Sequence, residues 1–218
     1  MIGVLLLSAA IGAAPPVLPE YEVGDAFVFS DGRVERVRQV RADRVVWSGL
    51  GRSTYERSRN PVVPILAWNV AGVAGHRQIG EAADALWPLR PGKSVRFRAV
   101  TQVDRKGARR RSVAFWKCGV GAPGTVTVPA GRFEAWPIQC ERYSAATMRL
   151  VERVQWDWSP ELSHYVRRRV TLYFDGSTSE IRLAAALAGD AATKARLRAL
   201  SAQARGASAA RLQGTGQH

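Results

Sequence analysis

The chain has 218 residues, of which 46% are hydrophobic and 23% are charged. This composition is ordinary for a globular protein and excludes an intrinsically disordered chain, and the length predicts one sizeable domain with appendages. The net charge of +14 at pH 7 indicates an anionic partner.

The first 14 residues form a short apolar run without charge, which ends in small residues before Pro15 and Pro16. This is the outline of a secretory signal peptide, with a buried N-terminal helix or strand as the alternative. The run is shorter than the roughly 20 apolar residues that span a bilayer. Because the first cysteine is Cys118, a lipid-bearing cysteine at the cleavage point is not expected. The sequence therefore predicts soluble export, to the periplasm or the medium.

The next segment predicts a three-stranded meander. Asp31 and Gly32 separate the strand-like residues 26–30 from a second run that ends at Val40. Asp-Gly between two such runs is a strong hairpin signal. A turn at Asp43 then leads into a third strand over residues 44–48.

Residues 58–92 are interrupted by several prolines and glycines. Because these residues break regular elements, the segment predicts a long surface connection with short pieces of structure.

From Ser94 onward, apolar and polar residues alternate with a period of two, which is typical of half-buried strands. The pattern covers residues 94–103, 148–158 and 166–174, and a turn at residues 175–177 leads to a last strand around Ile181. Sheets with one solvated face are typically antiparallel. We therefore predict a mainly β protein, with a curved antiparallel sheet or an open barrel or sandwich.

The domain boundaries follow from these elements. A signal peptide over residues 1–14 precedes an antiparallel β-domain over residues 20–184. Residues 185–218 form a basic Ala/Arg-rich tail, for which a helix and a disordered segment are both open.

The two cysteines, Cys118 and Cys140, predict one disulfide in an exported chain, with a reactive thiol as the alternative. A closed loop of about 21 residues is worth about 3 kcal/mol in the chain-entropy model. Two cysteines and three histidines are too few for an evident structural zinc site, and we predict neither a metal nor another cofactor.

Two segments carry a family resemblance. Residues 128–133 read Val-Pro-Ala-Gly-Arg-Phe, and residues 158–167 begin Trp-Ser-Pro. Together with Gly24, Asp25 and Phe27, they resemble exported bacterial β-rich proteins of unknown function, in which a Val-Pro-Ala-Gly-x-Phe turn is followed by a Trp-x-x-Pro segment. The resemblance implies a curved antiparallel β fold in the periplasm, and it implies no catalytic residues.

Aromatic and basic residues supply the candidate ligand-binding side chains. Seven tryptophans exceed what a core of this size needs, so some of them could line a cleft for a lipid, glycan or peptide, although most should belong to the core or its rim. Arginine accounts for 28 of the 32 basic residues, and its guanidinium pairs with phosphate and carboxylate groups. The candidates are Trp156, Trp158, His164, Arg167, Arg168 and Arg169.

The position of Arg168 within its strand is unusual. It points to the same side as the apolar Val166 and Val170. It must therefore be paired, lie near a sheet edge or line a cavity. A second basic run, over residues 105–111, is expected in a hairpin turn.

No catalytic constellation is evident. His164 near Glu161 could act as a general base, but a histidine in a surface turn is the more ordinary interpretation. Glu152 and Asp157 fall on opposite strand faces, which argues against a glycosidase-like pair. A Gly-rich phosphate loop and a Gly-x-Ser-x-Gly elbow are both missing from the sequence.

We therefore expect a non-enzymatic envelope binding module for an anionic or amphiphilic ligand, such as an envelope polymer or a lipid. The alternatives are an assembly subunit that binds a protein partner through its basic tail and, third, a hydrolase-type enzyme. Nucleic acid is not expected as a partner of an exported chain, in spite of the basic charge.

Export predicts a specific mass for the mature protein. When the full chain is expressed in bacteria and recovered from the envelope fraction, intact mass spectrometry should find a chain that begins near Pro15 and carries one disulfide. An uncleaved and fully reduced chain would contradict the predicted compartment.

Overall fold

A computed structural model describes residues 14–214 of the chain. The predicted signal peptide lies outside the described residues, apart from Ala14. Within residues 14–214, no helix is both long enough and apolar enough to cross a membrane.

Thirteen strands make up a single antiparallel sheet. In chain order they are β1 (Ala26–Phe29), β2 (Val34–Val40), β3 (Arg44–Ser48), β4 (Thr54–Ser58), β5 (Ala67–Val70), β6 (Val73–Ile79), β7 (Ser94–Arg105), β8 (Ala108–Val120), β9 (Gly124–Val128), β10 (Gly131–Ser144), β11 (Leu150–Ser159), β12 (His164–Leu172) and β13 (Thr178–Leu187).

The sheet closes on itself. Strands follow one another from β1 to β8, β10 then pairs with β8, and β11, β12 and β13 lead back to β1. The pairing of β10 with β11 completes a twelve-stranded barrel, and β9 is added beside the start of β10. The predicted mainly β antiparallel class is confirmed, and the sheet is a closed barrel instead of an open one.

Local sequence signals account for most of the turns. The β1–β2 hairpin turns at Asp31 and Gly32, where Gly32 has a φ of 81° that a residue without Cβ adopts readily. The predicted meander of three strands is confirmed. The basic run at residues 105–111 lies only partly in a turn, because Lys106 and Gly107 make the turn and residues 108–111 belong to β8.

The predicted surface connection over residues 58–92 is wrong, although the segment does contain the expected short pieces of structure. This segment contains β5 and β6, which pair with each other and with β4 and β7, followed by a short 3-10 helix over Glu81–Leu86. Strand β5 has only four residues and Gly75 interrupts β6, so their sequence lacks a sustained strand signal. Ladder hydrogen bonds from their neighbours hold them in the barrel. Strand β4 is likewise absent from the predicted strands.

The C-terminal tail is a helix, α1 (Lys194–Gly214). Leu197 and Ala204 on this helix pack against Ala26 and Val28 on the outer surface of β1. This contact explains why all four residues of β1 are buried, since Phe27 and Phe29 face the barrel interior. The last strand reaches Leu187, beyond the predicted domain boundary at residue 184.

Cys118 and Cys140 form the predicted disulfide, which is confirmed. The two residues are direct cross-strand partners on β8 and β10, and both side chains are fully buried. The bridge therefore fixes the register of β10, the strand that closes the barrel.

Loss of this bridge should lower stability. The Cys118→Ala/Cys140→Ala variant should unfold with a free energy about 2–4 kcal/mol below that of the wild type, because its unfolded chain regains loop entropy. Denaturant titration with and without reductant measures the difference. A reductant effect in the wild type and none in the variant is expected, whereas equal midpoints for all samples would contradict the prediction.

Candidate functional site

The barrel encloses a cavity of about 610 Å³. Its walls use every second residue of successive strands, as expected for the inner face of a sheet. The lining includes Ala99 and Thr101 on β7, and Glu152, Val154 and Trp156 on β11.

Core residues and an inserted loop close one side of this cavity. Residues 61–65, between β4 and β5, contribute to its wall, and Val62 and Val63 from this loop are buried in the main core. Phe174, which follows β12, also lines the cavity while remaining 77% exposed to solvent. Phe174 therefore marks the mouth of the cavity.

Four arginines line the cavity, and they come from four different strands: Arg57, Arg77, Arg142 and Arg168. The one acidic side chain in the described lining is Glu152, which accepts a hydrogen bond of 2.7 Å from Arg142 Nε. Positive charge therefore exceeds negative charge on the cavity wall.

Arg77 is held in place by its neighbours on β5 and β7. Its guanidinium donates to Thr101 Oγ1 at 3.0 Å and to the carbonyl oxygen of Ile65 at 2.8 Å. It also lies 4.7 Å from the ring centroid of Trp68. A Cβ at Gly75 would come within 2.1 Å of the Trp68 indole, so the glycine allows this ring to lie close to β6.

Arg57 is fixed by a buried carboxylate. Its Nη2 lies 3.6 Å from Glu35 Oε1, and the two side chains are only 15% and 3% exposed. The same Glu35 oxygen accepts a hydrogen bond of 2.9 Å from the hydroxyl of Tyr165. His164 Nε2 lies 3.4 Å from the other carboxylate oxygen, without the alignment of a hydrogen bond.

This cluster sets the charges of its members. Burial alone would raise the pKa of Glu35, but Arg57, His164 and Tyr165 together hold it well below its usual range, so the carboxylate is ionised. Burial lowers the pKa of His164, and Glu35 offsets this only in part, so the imidazole is neutral near pH 7. The anionic Glu35 and the cationic Arg57 therefore neutralise each other at the base of the cavity, and His164 adds no charge.

Arg168 has no such partner. No acidic oxygen of the described side chains lies within 4.0 Å of its guanidinium. Burial is the largest effect on the pKa of Arg168 and lowers it, and the positive charges of Arg57 and Arg33 act in the same direction. Tyr165 and the more distant Glu35 raise the pKa, and the group stays protonated near pH 7. Arg168 is thus a half-buried cation that forms no ion pair with the described side chains.

Of the six candidate residues, two line the cavity: Arg168 and Trp156. Arg167 is bonded to Asp157 and Arg169 to Glu180, and neither arginine lines the cavity. Trp158 is 2% exposed and packs edge-to-face against Trp87 at 5.0 Å, away from the cavity.

The interpretation of His164 as a surface turn residue is wrong. The side chain is 1% exposed and stacks on Phe27 with 3.8 Å between ring centroids. Its acidic neighbour is Glu35 on β2, while the sequence neighbour Glu161 is exposed. Strand β12 begins at His164, two residues before the predicted segment of residues 166–174, and this places His164 in the core.

Three cavity arginines are not among the candidate residues predicted from the sequence: Arg57, Arg77 and Arg142. Arg142 follows Ile138 and Cys140 at intervals of two on β10, so the alternation rule could have placed it on the inner face. The strands that hold Arg57 and Arg77 were not predicted, and no comparable signal exists for these two residues.

The buried histidine should make stability depend on pH. In the unfolded chain His164 has an ordinary pKa near 6.5, whereas in the folded protein its pKa is lower, so the unfolded chain binds more protons as the pH falls. The free energy of unfolding should therefore decrease below about pH 6.5. The stabilisation from Glu35, whose pKa is depressed, is lost only at more acidic pH, below about 4.3.

Denaturant midpoints at about pH 7.5 and about pH 5.5 measure this effect. The His164→Gln variant should show a smaller difference between the two, whatever its absolute stability. His76→Gln, which changes an exposed histidine, serves as the control and should keep the wild-type difference. An unchanged difference in His164→Gln would contradict the prediction.

Comparison with known proteins defines the fold. No protein-family model and no curated protein matches the sequence. Among solved structures, the chain is similar to the hypothetical lipoprotein YmcC from Escherichia coli (K12), with a TM-score of 0.50 and 9% identity over 76% of this chain and 84% of that one.

Two further structures show weaker similarity. A predicted exported protein with a YmcC-like fold from Bacteroides fragilis NCTC 9343 gives a TM-score of 0.43 at 15% identity, and a predicted lipoprotein from Parabacteroides distasonis ATCC 8503 gives 0.40 at 12%. Each covers 80% of this chain and 100% of its own. At these identities the similarity concerns the fold alone, and the fold of this chain is similar to that of YmcC.

Proposed function

We propose that this protein is an exported, non-enzymatic binding protein that holds an amphiphilic anion in its barrel cavity. The observation that carries the proposal is Arg168, a half-buried cation that faces the cavity and has no acidic partner among the described residues. Such a group is costly to bury unless a counter-ion meets it. A bound carboxylate or phosphate would supply that counter-ion.

The surrounding charges favour an anion as well. Arg57 keeps its charge beside Arg168, and Glu35 balances only one of the two. Arg77 and Arg142 extend the positive wall, where Glu152 again balances only one. Guanidinium groups bind carboxylate and phosphate oxygens through paired hydrogen bonds, which suits an anionic head group.

The rest of the wall favours an apolar body on the ligand. Trp116, Val154 and Trp156 line the cavity, and Phe174 lies at its mouth. A volume of about 610 Å³ is within the range of small-molecule sites. Since apolar walls and cations occupy the same cavity, an amphiphile fits better than a small inorganic anion.

Export is supported by the chain's own chemistry. Disulfides persist in oxidising compartments such as the periplasm, and Cys118 and Cys140 form one here. The protein of similar fold from Escherichia coli is described as a lipoprotein, a class found in the cell envelope. Both observations agree with a location in the periplasm or outside the cell.

The alternatives fit the structure less well. A protein partner recruited by the basic tail would have to use the outer face of α1, because Leu197 and Ala204 are occupied by the barrel. A hydrolase built on His164 would need substrate access to a side chain that is 1% exposed. The cavity that contains Trp156 beside Arg168 favours the binding role.

Arg168 should govern the affinity for an anionic amphiphile. We would titrate the protein with dansyl-labelled undecanoate and follow energy transfer from tryptophan, since Trp116 and Trp156 line the cavity. A hydrogen bond to a charged group contributes about 1.5–3 kcal/mol, so Arg168→Gln should weaken binding roughly 10- to 100-fold.

The chain offers a matched control for this experiment. Arg169→Gln changes the adjacent arginine, which is paired with Glu180 outside the cavity, and should leave the affinity within about twofold. The methyl ester of the probe should bind wild type as weakly as the acid binds Arg168→Gln. Equal binding of acid and ester, or no binding of either, would overturn the proposal.

A further inference from the structure

Exposed apolar side chains concentrate on one part of the barrel surface. Four of the large hydrophobic residues that the described chain leaves exposed lie on or beside β8, β11 and β12. They are Phe115 at 39%, Met148 at 64%, Tyr173 at 43% and Phe174 at 77%. We call these four residues the apolar patch. Scattered single exposed residues are ordinary, but a group of this kind indicates an interaction surface.

The sheet places these residues next to one another. Phe115 and Met148 line the same shallow groove on the outside of β7, β8 and β10. Met148 lies in the turn between β10 and β11, and Tyr173 donates its backbone N–H to Val151 on β11 at 3.1 Å. The patch therefore follows neighbouring strand ends and turns.

Basic side chains border the apolar patch. Arg96, Arg98 and Lys117 are exposed around the same groove, with Arg98 directly opposite Phe115. Arg153 lies 5.7 Å from the Tyr173 ring centroid, and the exposed Arg149 follows Met148.

Two acids lie in this region. Glu141 is bonded to Arg153 and to the hydroxyl of Tyr143, and Asp175 accepts a hydrogen bond from the backbone of Ser177 in the turn after Phe174. The surface keeps an excess of positive charge around its apolar side chains.

The patch is continuous with the cavity. Phe174 belongs to both, since it lines the cavity and is largely exposed at the mouth. Tyr173, the preceding residue, faces the outer surface beside Arg153. A surface that the patch contacts would therefore lie beside the opening through which a ligand enters.

We infer that the apolar patch docks the mouth of the barrel on an anionic lipid bilayer. This inference rests on the proposed function, because it names the source of the amphiphile. Aromatic and apolar side chains insert at the boundary of head groups and acyl chains, while arginine and lysine bind anionic head groups. A single bound lipid could then pass between the bilayer and the cavity without crossing water.

Vesicle sedimentation tests the docking surface. The mature chain, which begins near Pro15 and lacks the apolar residues 1–14, should sediment with vesicles of phosphatidylethanolamine and phosphatidylglycerol. It should sediment much less with vesicles of phosphatidylcholine alone, and added salt should weaken the binding. The Met148→Ser/Tyr173→Ser variant should bind the anionic vesicles about tenfold more weakly, because it removes apolar insertion.

Matched variants test the position of the surface. Val17→Ser/Val23→Ser changes two residues that are 68% and 62% exposed outside the patch, and it should bind vesicles like wild type. Val23 lies far from the patch. It precedes Gly24, whose Cα lies close to the backbone of Gly189, just after the C-terminal end of β13. Phe174 lies near the opposite, N-terminal end of that strand. For charge, Arg96→Gln/Arg98→Gln should weaken binding, whereas Arg196→Gln/Arg198→Gln on α1 should not.

Failure of this inference can be told apart from failure of the proposed function. Met148→Ser/Tyr173→Ser should still bind dansyl-labelled undecanoate in solution like wild type, since neither residue lines the cavity. Patch variants that sediment like wild type, or equal sedimentation with both kinds of vesicle, would overturn the docking surface. The effect of Arg168→Gln on probe binding tests only the cavity site and therefore the proposed function.

Discussion

Closure of twelve strands into one barrel is the constraint from which the rest of this structure follows. A barrel of about eight strands can be filled by its own side chains, and a wider one encloses space that they cannot fill. Here part of that space is occupied by the loop over residues 61–65 and by the 3-10 helix at Glu81–Leu86, whose residues join the main core. The remainder is the cavity.

The width of the barrel also explains its buried charges. Some residues on the inner face lie outside the packed core. They surround a space in which polar groups can contact solvent or a ligand. Glu35 lies below that space, where an isolated carboxylate would be costly, and it is ionised because Arg57 and Tyr165 satisfy it. The pairing orients Arg57 toward the cavity. No carboxylate among the described residues pairs with Arg168 in this way, so its charge remains available.

The cavity and the apolar patch both combine basic side chains with apolar ones. Inside the barrel, arginines and indole rings lie on the same wall, and the proposed ligand accordingly carries both an anionic and an apolar part. Outside the mouth, the same two kinds of side chain occur together around Phe115 and Met148. A bilayer with anionic lipids presents negative charge and apolar chains together at its surface, and each of its anionic lipids also combines a negative charge with apolar chains. Phe174 connects the two surfaces.

Local patterns in the sequence determined much of the fold. The alternation after Ser94, the turn at Asp31 and Gly32 and the two cysteines predicted the antiparallel sheet, its opening meander and its disulfide, because each signal depends on a single strand, turn or pair. Alternation also required Arg168 to be paired, at an edge or in a cavity. Strands β4, β5 and β6 were not predicted, because β4 and β5 have only five and four residues and Gly75 interrupts β6. Their pairing with neighbouring strands defines them.

Only the tertiary structure decided which residues form the site. Arg57, Arg77, Arg142 and Arg168 come from strands that are distant in the sequence, and closure of the barrel brings them around one cavity. The buried environment of His164 likewise includes Glu35, which lies 129 positions earlier in the sequence and approaches the imidazole inside the barrel. The sequence by itself therefore determined those strands whose alternation or turn signals lie in neighbouring residues, together with the faces of those strands. The cavity, its charge balance and its mouth depend on the pairing of remote strands, which local sequence does not encode.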